Sequence, residues 1–298
     1  MNARKERVIA HARKLFMEKG YKETAIQDII DSSGISKSTF YNYFSSKSEI
    51  FKAVYISVRN KFHKERDELL IDQNVNDIDI FIKQLELQII SNHRNKLYIL
   101  IEEVITSNEP ELRDYLKKSQ CQNVQWTYNR LVEIFGPEKE PYLLDCSIML
   151  LGLLQHSFYY HYMAKREEIN TEEIISYCID RIKVIIEDVS HSKVQLLKPN
   201  QLKSWLQDFT ESDQDFHYNL IQSSNDIKKI ISKVSKTEYE KVNTTQLVDF
   251  VREELSQKDE PRVFLIKSAL LSLNTQEKLS VTEEFKRFEK LVQSAIID

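Results

Sequence analysis

The chain has 298 residues, with 42 Lys and Arg against 46 Asp and Glu, 41% hydrophobic residues, and only four Gly and five Pro. This composition excludes a disordered tail, and so few turn residues favour long helices with short connections over a β-rich fold. The net charge of −4 argues against a generic polyanion binder, but residues 1–60 hold eleven Lys and Arg against six Asp and Glu, a local +5 that leaves −9 for the rest; a basic module on an acidic body suits DNA engagement through one end.

In chain order, residues 4–19 predict a first helix with Val8, Ile9, Ala12, Leu15 and Phe16 on one stripe and Gly20 as its cap. Residues 24–50 then read as two short helices about a tight turn and the start of a third. Thr24 and Gln27 have capping-box spacing, Ile26, Ile29 and Ile30 mark an apolar face, and Gly34 supplies a left-handed turn residue. Ser36 opens the next helix, where Phe40 and Phe44 face inward and Lys37, Ser38, Thr39, Tyr41, Asn42 and Tyr43 face outward, and Ser46 with Glu49 forms a second capping box. Burying Phe16, Ile29, Phe40 and Phe44 at about 1.5–3 kcal/mol each suffices to hold so small a module rigid. A helix–turn–helix with a polar, aromatic and basic outer face is what a major groove requires.

The set Phe16 to Tyr21, Thr24 with Ile29 and Ile30, Ser33-Gly34-Ile35-Ser36, Thr39 to Phe44, Lys47 and Ile50 resembles the N-terminal domain of the TetR family of bacterial transcriptional repressors over about the first sixty residues. Ile30 stands where Ala is usual, and Ser38 where Gly is frequent. The resemblance implies DNA contacts at Lys37, Thr39, Tyr41, Asn42, Tyr43 and Lys47, with Ser38 beside them and Thr24 serving either a phosphate or only its own cap. Tyr41, Tyr43 and Lys47 suit phosphates, while Lys37, Thr39 and Asn42 suit base edges. Arg4, Lys5 and Arg7 form either an arm on the DNA or solvated charge; no spacing separates the two.

Residues 47–71 predict a connecting helix, and residues 72–79 a polar link. Helices follow over 80–91 and 96–106, then from a cap at Asn108 to Phe135, ended by Gly136 and Pro137. Residues 142–165 and 170–189 predict two long apolar helices, which the resemblance implies pair with their copies in a four-helix bundle. Leu150, Leu153, Leu154, Ser157 and Tyr160, with Ile175, Ile179, Ile182 and Ile186, offer stripes for that homodimer; the alternative is intramolecular core. Beyond residue 200 lie six further predicted helices, 201–209, 213–223, 225–235, 237–257, 261–273 and 276–296, without a repeat or an assignable chemistry.

The expected architecture is thus all-α: a three-helix DNA-binding domain (1–47), a helical ligand-binding and dimerisation domain (48–195) and a C-terminal helical extension (196–298). Tyr98, Glu102, Trp126, Tyr128, Arg130, His156, Tyr159, Tyr160 and His161 can line an effector pocket, with Tyr98, Glu102 and Trp126 the first choices and core packing the alternative. There is no phosphate loop, G-x-S-x-G or H-E-x-x-H motif. His156 and His161 stand about 140° apart around a helix, poorly placed to share a metal. Cys121, Cys146 and Cys178 are widely spaced and read as free thiols of a reducing cytosol. The apolar run 148–154 is far below the roughly 20 residues that span a bilayer. The expectation is a cytoplasmic, non-enzymatic repressor without metal or cofactor, dimeric on palindromic operator DNA and released by a small-molecule effector. Its rivals are a structural or protein-recruiting DNA-bound factor on the same scaffold, and activation in place of repression.

Overall fold

The computed structural model describes residues 3–71, 73–107, 109–164, 170–207, 213–235, 237–257 and 261–296. Fifteen α-helices and one short 3-10 turn, with no strand, make up the regular structure among the described residues. They fall into two compact units, Ala3–Phe209 and Thr210–Asp298.

In the first unit, α1 (Ala3–Lys19) ends at Gly20, whose φ of +86° needs a residue without Cβ. α2 (Ile26–Ser33) ends at Gly34 in the left-handed region, α3 (Lys37–Tyr43) follows, and α4 (Lys47–Glu68) leads away from this head. Val8, Phe16, Tyr21, Ile29, Phe40, Phe44, Ile50 and Phe51 are buried together. Contrary to the expectation of a self-sufficient module, the three helices do not close this core alone. Leu100 and Val104 of α6 (Leu97–Ile105), with Leu112 and Leu116 of α7 (Pro110–Phe135), complete it.

The body adds α5 (Ile78–Arg94), α8 (Glu140–Met163), α9 (Thr171–Ser192) and α10 (Pro199–Gln207). α8 packs against α7 and α9, and α9 against α5. Asn170 caps α9 by accepting from the Glu173 amide at 3.1 Å. Leu150, Leu154, Ile175, Ile179, Ile182 and Ile186 are core residues. That corrects their reading as a dimer stripe: with α7 and α5 also packed on the pair, the most regular apolar stripes are used within the chain. The expected boundary at residue 196 also moves. Asp145 accepts the amides of Leu196 (2.7 Å) and Leu197 (3.0 Å), and Leu202 is buried in the body core, so α10 belongs to the first unit.

The second unit holds α11 (Asp213–Val234), α12 (Glu238–Gln257), α13 (Val263–Asn274), α14 (Glu277–Ser280) and α15 (Glu283–Ala295). Its own core includes Leu220, Ile227, Ile231, Val248, Val251, Ile266, Leu273, Phe285, Phe288 and Val292. The break expected near Ser224 is absent, because the buried Ser224 hydroxyl donates to the Leu220 carbonyl (2.6 Å) and satisfies itself within α11. The helix expected over 276–296 is divided instead, since Thr282 restarts it by capping the Phe285 amide. The predicted cap at Asn108 and the helix ends at 165 and 208–209 lie outside the described residues.

Candidate nucleic-acid interface

The candidate reading surface begins at a cap. Ser36 accepts from the Thr39 amide (3.1 Å), and its hydroxyl lies 2.9 Å from that of Ser38 and 2.8 Å from that of Thr39. Phe40 is fully buried and packs on Phe44 with ring centres 5.7 Å apart, which fixes the roll of α3. With that face inward, Lys37, Ser38, Tyr41 and Asn42 are exposed, and Thr39 and Tyr43 are half-buried. The Tyr41 ring leans edge-on against Phe40 at 5.4 Å, so its hydroxyl is carried on an anchored ring. α4 starts with Ser46 accepting from the Glu49 amide (3.1 Å), but Glu49 reaches back to the Ser45 amide (2.5 Å) and hydroxyl (2.7 Å), one residue before the cap.

Two expected DNA contacts have other duties. Thr24 is fully buried, and its hydroxyl donates to the Gly20 carbonyl at 2.6 Å. It does not cap α2 either; Ala25 occupies the N-cap, and Asp28 accepts the Ala25 amide at 3.1 Å. That bond, then Lys19 at 3.1 Å, holds the Asp28 carboxyl below its ordinary range. Lys47 Nζ donates to the carbonyls of Tyr21 (2.9 Å) and Lys22 (3.2 Å) and sits 4.6 Å from the centre of the Tyr21 ring. Its charge is folded back onto the head.

Arg4, Lys5 and Arg7 lie within α1 instead of forming an extended arm, and Lys5 Nζ stands 5.4 Å from the Phe44 ring centre. His11 Nδ1 lies 2.9 Å from the Ser32 hydroxyl, tying α1 to α2. Sequence reasoning missed the contacts that join the head to α6 and α7. The Tyr21 hydroxyl donates to Glu109, the Lys22 amide to Glu103 (3.0 Å) and Lys22 Nζ to the Thr106 hydroxyl (3.1 Å). Burial, and then the bond to Glu109, push the Tyr21 phenol well above its ordinary range. Partners 81–88 residues apart leave no local signature.

The three pocket candidates are not brought together. Tyr98 and Glu102 are exposed one turn apart on α6, and the Tyr98 hydroxyl accepts from Asn92 at 3.4 Å. Trp126 is body core, 5.8 Å from the Phe81 ring and 4.2 Å from the Arg66 guanidinium. A cavity lined by Arg13, Tyr55, Asn95 and Leu100, among others, measures about 10 Å³, room for one water. On the outer face of α8 and α9, Met149, Gly152, Leu153, His156, Ser157 and Ile185 line an open groove of about 360 Å³. Among the described residues no group of three or more His, Cys, Asp or Glu is placed to hold a metal, and no helix is long and apolar enough to cross a membrane.

Residues 8–54 match the family model for bacterial regulatory proteins of the tetR family. The chain is 28% identical to the uncharacterized HTH-type transcriptional regulator YerO of Bacillus subtilis (strain 168), across 99% of this chain and 96% of that one. It is 26% identical to a second such regulator of that organism, YuxN, over 52% of this chain and 54% of the other. It is 29% identical to IcaR of Staphylococcus epidermidis, the HTH-type negative transcriptional regulator of the biofilm operon icaADBC, over 52% of this chain and 82% of that protein. No solved structure matches.

Proposed function

Because the chain belongs to the tetR family of bacterial transcriptional regulators, we propose that it is a homodimeric repressor whose two α3 helices enter successive major grooves of a palindromic operator. The observation that carries this is the exposed set Lys37, Ser38, Tyr41 and Asn42 on a helix whose opposite face, at Phe40, is fully buried. Lys37 and Asn42 read base edges, and Tyr41, Tyr43 and Ser38 hold phosphates. A symmetric pair of such helices needs half-sites about 34–36 Å apart. The negative regulator IcaR is a relative, which supports repression over activation.

Dimerisation uses the outer face of α8 and α9. The two helices that carry the groove at Met149, Leu153, His156 and Ile185 also carry Tyr160, Tyr177 and Val184, each more than 60% exposed. Apolar side chains left outside a filled core are the material of an interface between copies.

One observation favours a second reading of the control. Trp126 is committed to the core, while Phe264 and Leu271, seven residues apart on one face of α13, are 80% and 68% exposed. That pattern supports a protein partner on the second unit in place of a small molecule in the body.

Selection of bound fragments from random duplex DNA tests the reading. The full chain should enrich a palindrome, and Lys37→Ala or Asn42→Ala should each weaken binding to it by about 1–3 kcal/mol. Met149→Asp should convert the dimer to a monomer in sedimentation and abolish palindrome selection. Enrichment without symmetry, or wild-type affinity in both α3 variants at matched salt, counts against the site.

A further inference from the structure

Residues 20–22, the turn between α1 and α2, receive contacts from three other parts of the first unit. From α4, Lys47 binds the carbonyls of Tyr21 and Lys22. From α6, Glu103 accepts the Lys22 amide at 3.0 Å, and its carboxylate occupies the space of an added Cβ on Gly20, 2.7 Å from the ideal position. Thr106, just past α6, accepts from Lys22 Nζ, and Glu109, just before α7, accepts from the Tyr21 hydroxyl. A backbone amide bound to a carboxylate is a charge-assisted contact, stronger and more directional than apolar packing. The missing side chain at Gly20 is what lets the carboxylate sit against the main chain.

The turn leads straight into α2, and α2 sets α3 through Gly34. A shift of α6 therefore either carries the turn along or breaks the Lys22–Glu103 bond. We propose that Glu103 is a positioning residue for DNA reading. Seated on the turn, its carboxylate fixes the angle of α3 to the body and hence the separation of the two reading helices. This rests on the dimeric reading above.

The test uses full-length protein and duplexes carrying the selected half-sites at the native separation and one or two base pairs either side, read by fluorescence anisotropy. Glu103→Ala should lose about tenfold at the native separation and lose less, or gain, at altered ones. Glu103→Asp, which keeps the charge but withdraws it by one methylene, should show the same redistribution and decides the matter if the alanine variant fails to fold. Lys37→Ala, a direct contact, should lose the same factor at every separation. A Glu103 variant whose affinity is unchanged, or falls by one constant factor across the set, overturns the positioning role alone. A wild-type protein indifferent to separation overturns the dimeric reading and the positioning role together.

Discussion

At its N-terminal end α4 sinks Ile50, Phe51 and Val54 into the apolar cluster of the head, whereas at its C-terminal end Phe62, His63 and Arg66 are buried beside charged and amide groups. There Gln84, fully buried, donates to the Arg66 carbonyl (3.0 Å) and accepts from Arg130 Nε (3.0 Å). Arg130 also donates to the Val75 carbonyl (2.8 Å) and to Glu133, and Arg66 lies over Trp126 while bonding Asp67 at 3.3 Å. One helix thus joins an end governed by shape to an end governed by charge and hydrogen bonding. A buried polar network of this kind is sensitive to protonation in a way that an apolar cluster is not.

The largest expected effect lies at the apolar end. Phe51 packs edge-on against Phe16 (5.4 Å) and Tyr21 (4.9 Å), so Phe51→Ala should cost about 3–5 kcal/mol in denaturant unfolding. The loss should be the same at pH 7 and pH 8. A loss that varied between them would erase the distinction between the two ends.

A smaller, pH-dependent effect belongs to the other end. Burial, then Arg66 and Arg59, hold the His63 imidazole well below its ordinary value of 6.5. Below pH 6.5 the unfolded chain binds a proton that the native state refuses. The stability linked to His63 is therefore complete above 6.5 and falls as pH drops towards the native value, by at most about 1.4 kcal/mol per pH unit. Unfolding free energies at pH 7.5, 6.5 and 5.5 should fall more steeply for the wild type than for His63→Gln. Equal slopes would remove His63 as a source of the difference.

The same contrast separates what the sequence discloses from what it conceals. The head is legible because its signals are local: Gly34 needs its left-handed turn, Ser36 caps a helix three residues ahead, and Phe40 and Phe44 mark a face four residues apart. The body is not, because apolar residues surround α8. Leu150 and Leu154, chosen for a dimer stripe, lie in the core, while Tyr160, chosen with them, and Met149, next to Leu150 in sequence, are exposed. Trp126 could be read as pocket wall or as core, and only the placement of Arg66 and Phe81 decides. Asp145 with Leu196, and Glu103 with Lys22, are partners 51 and 81 residues apart, beyond any periodicity or capping rule. In the candidate DNA site the hidden part has one form: Thr24 and Lys47 carry residue types that suit phosphates, and nearby carbonyls of the main chain hold both of them within the chain.

Thr24 provides the smallest and most discriminating test of that last point. A phosphate contact requires an exposed hydroxyl, and its loss should weaken operator binding without altering the fold. A buried hydroxyl donating to the Gly20 carbonyl predicts the reverse. Thr24→Val preserves shape and removes the donor, so it should cost about 1 kcal/mol of stability, while operator affinity at matched salt stays at the wild-type value. Thr24→Ser, which keeps the donor, should recover most of that loss. If valine instead weakens binding and leaves stability untouched, the head opens at this turn when it meets DNA. Thr24 would then belong to the proposed reading surface together with Lys37 and Asn42.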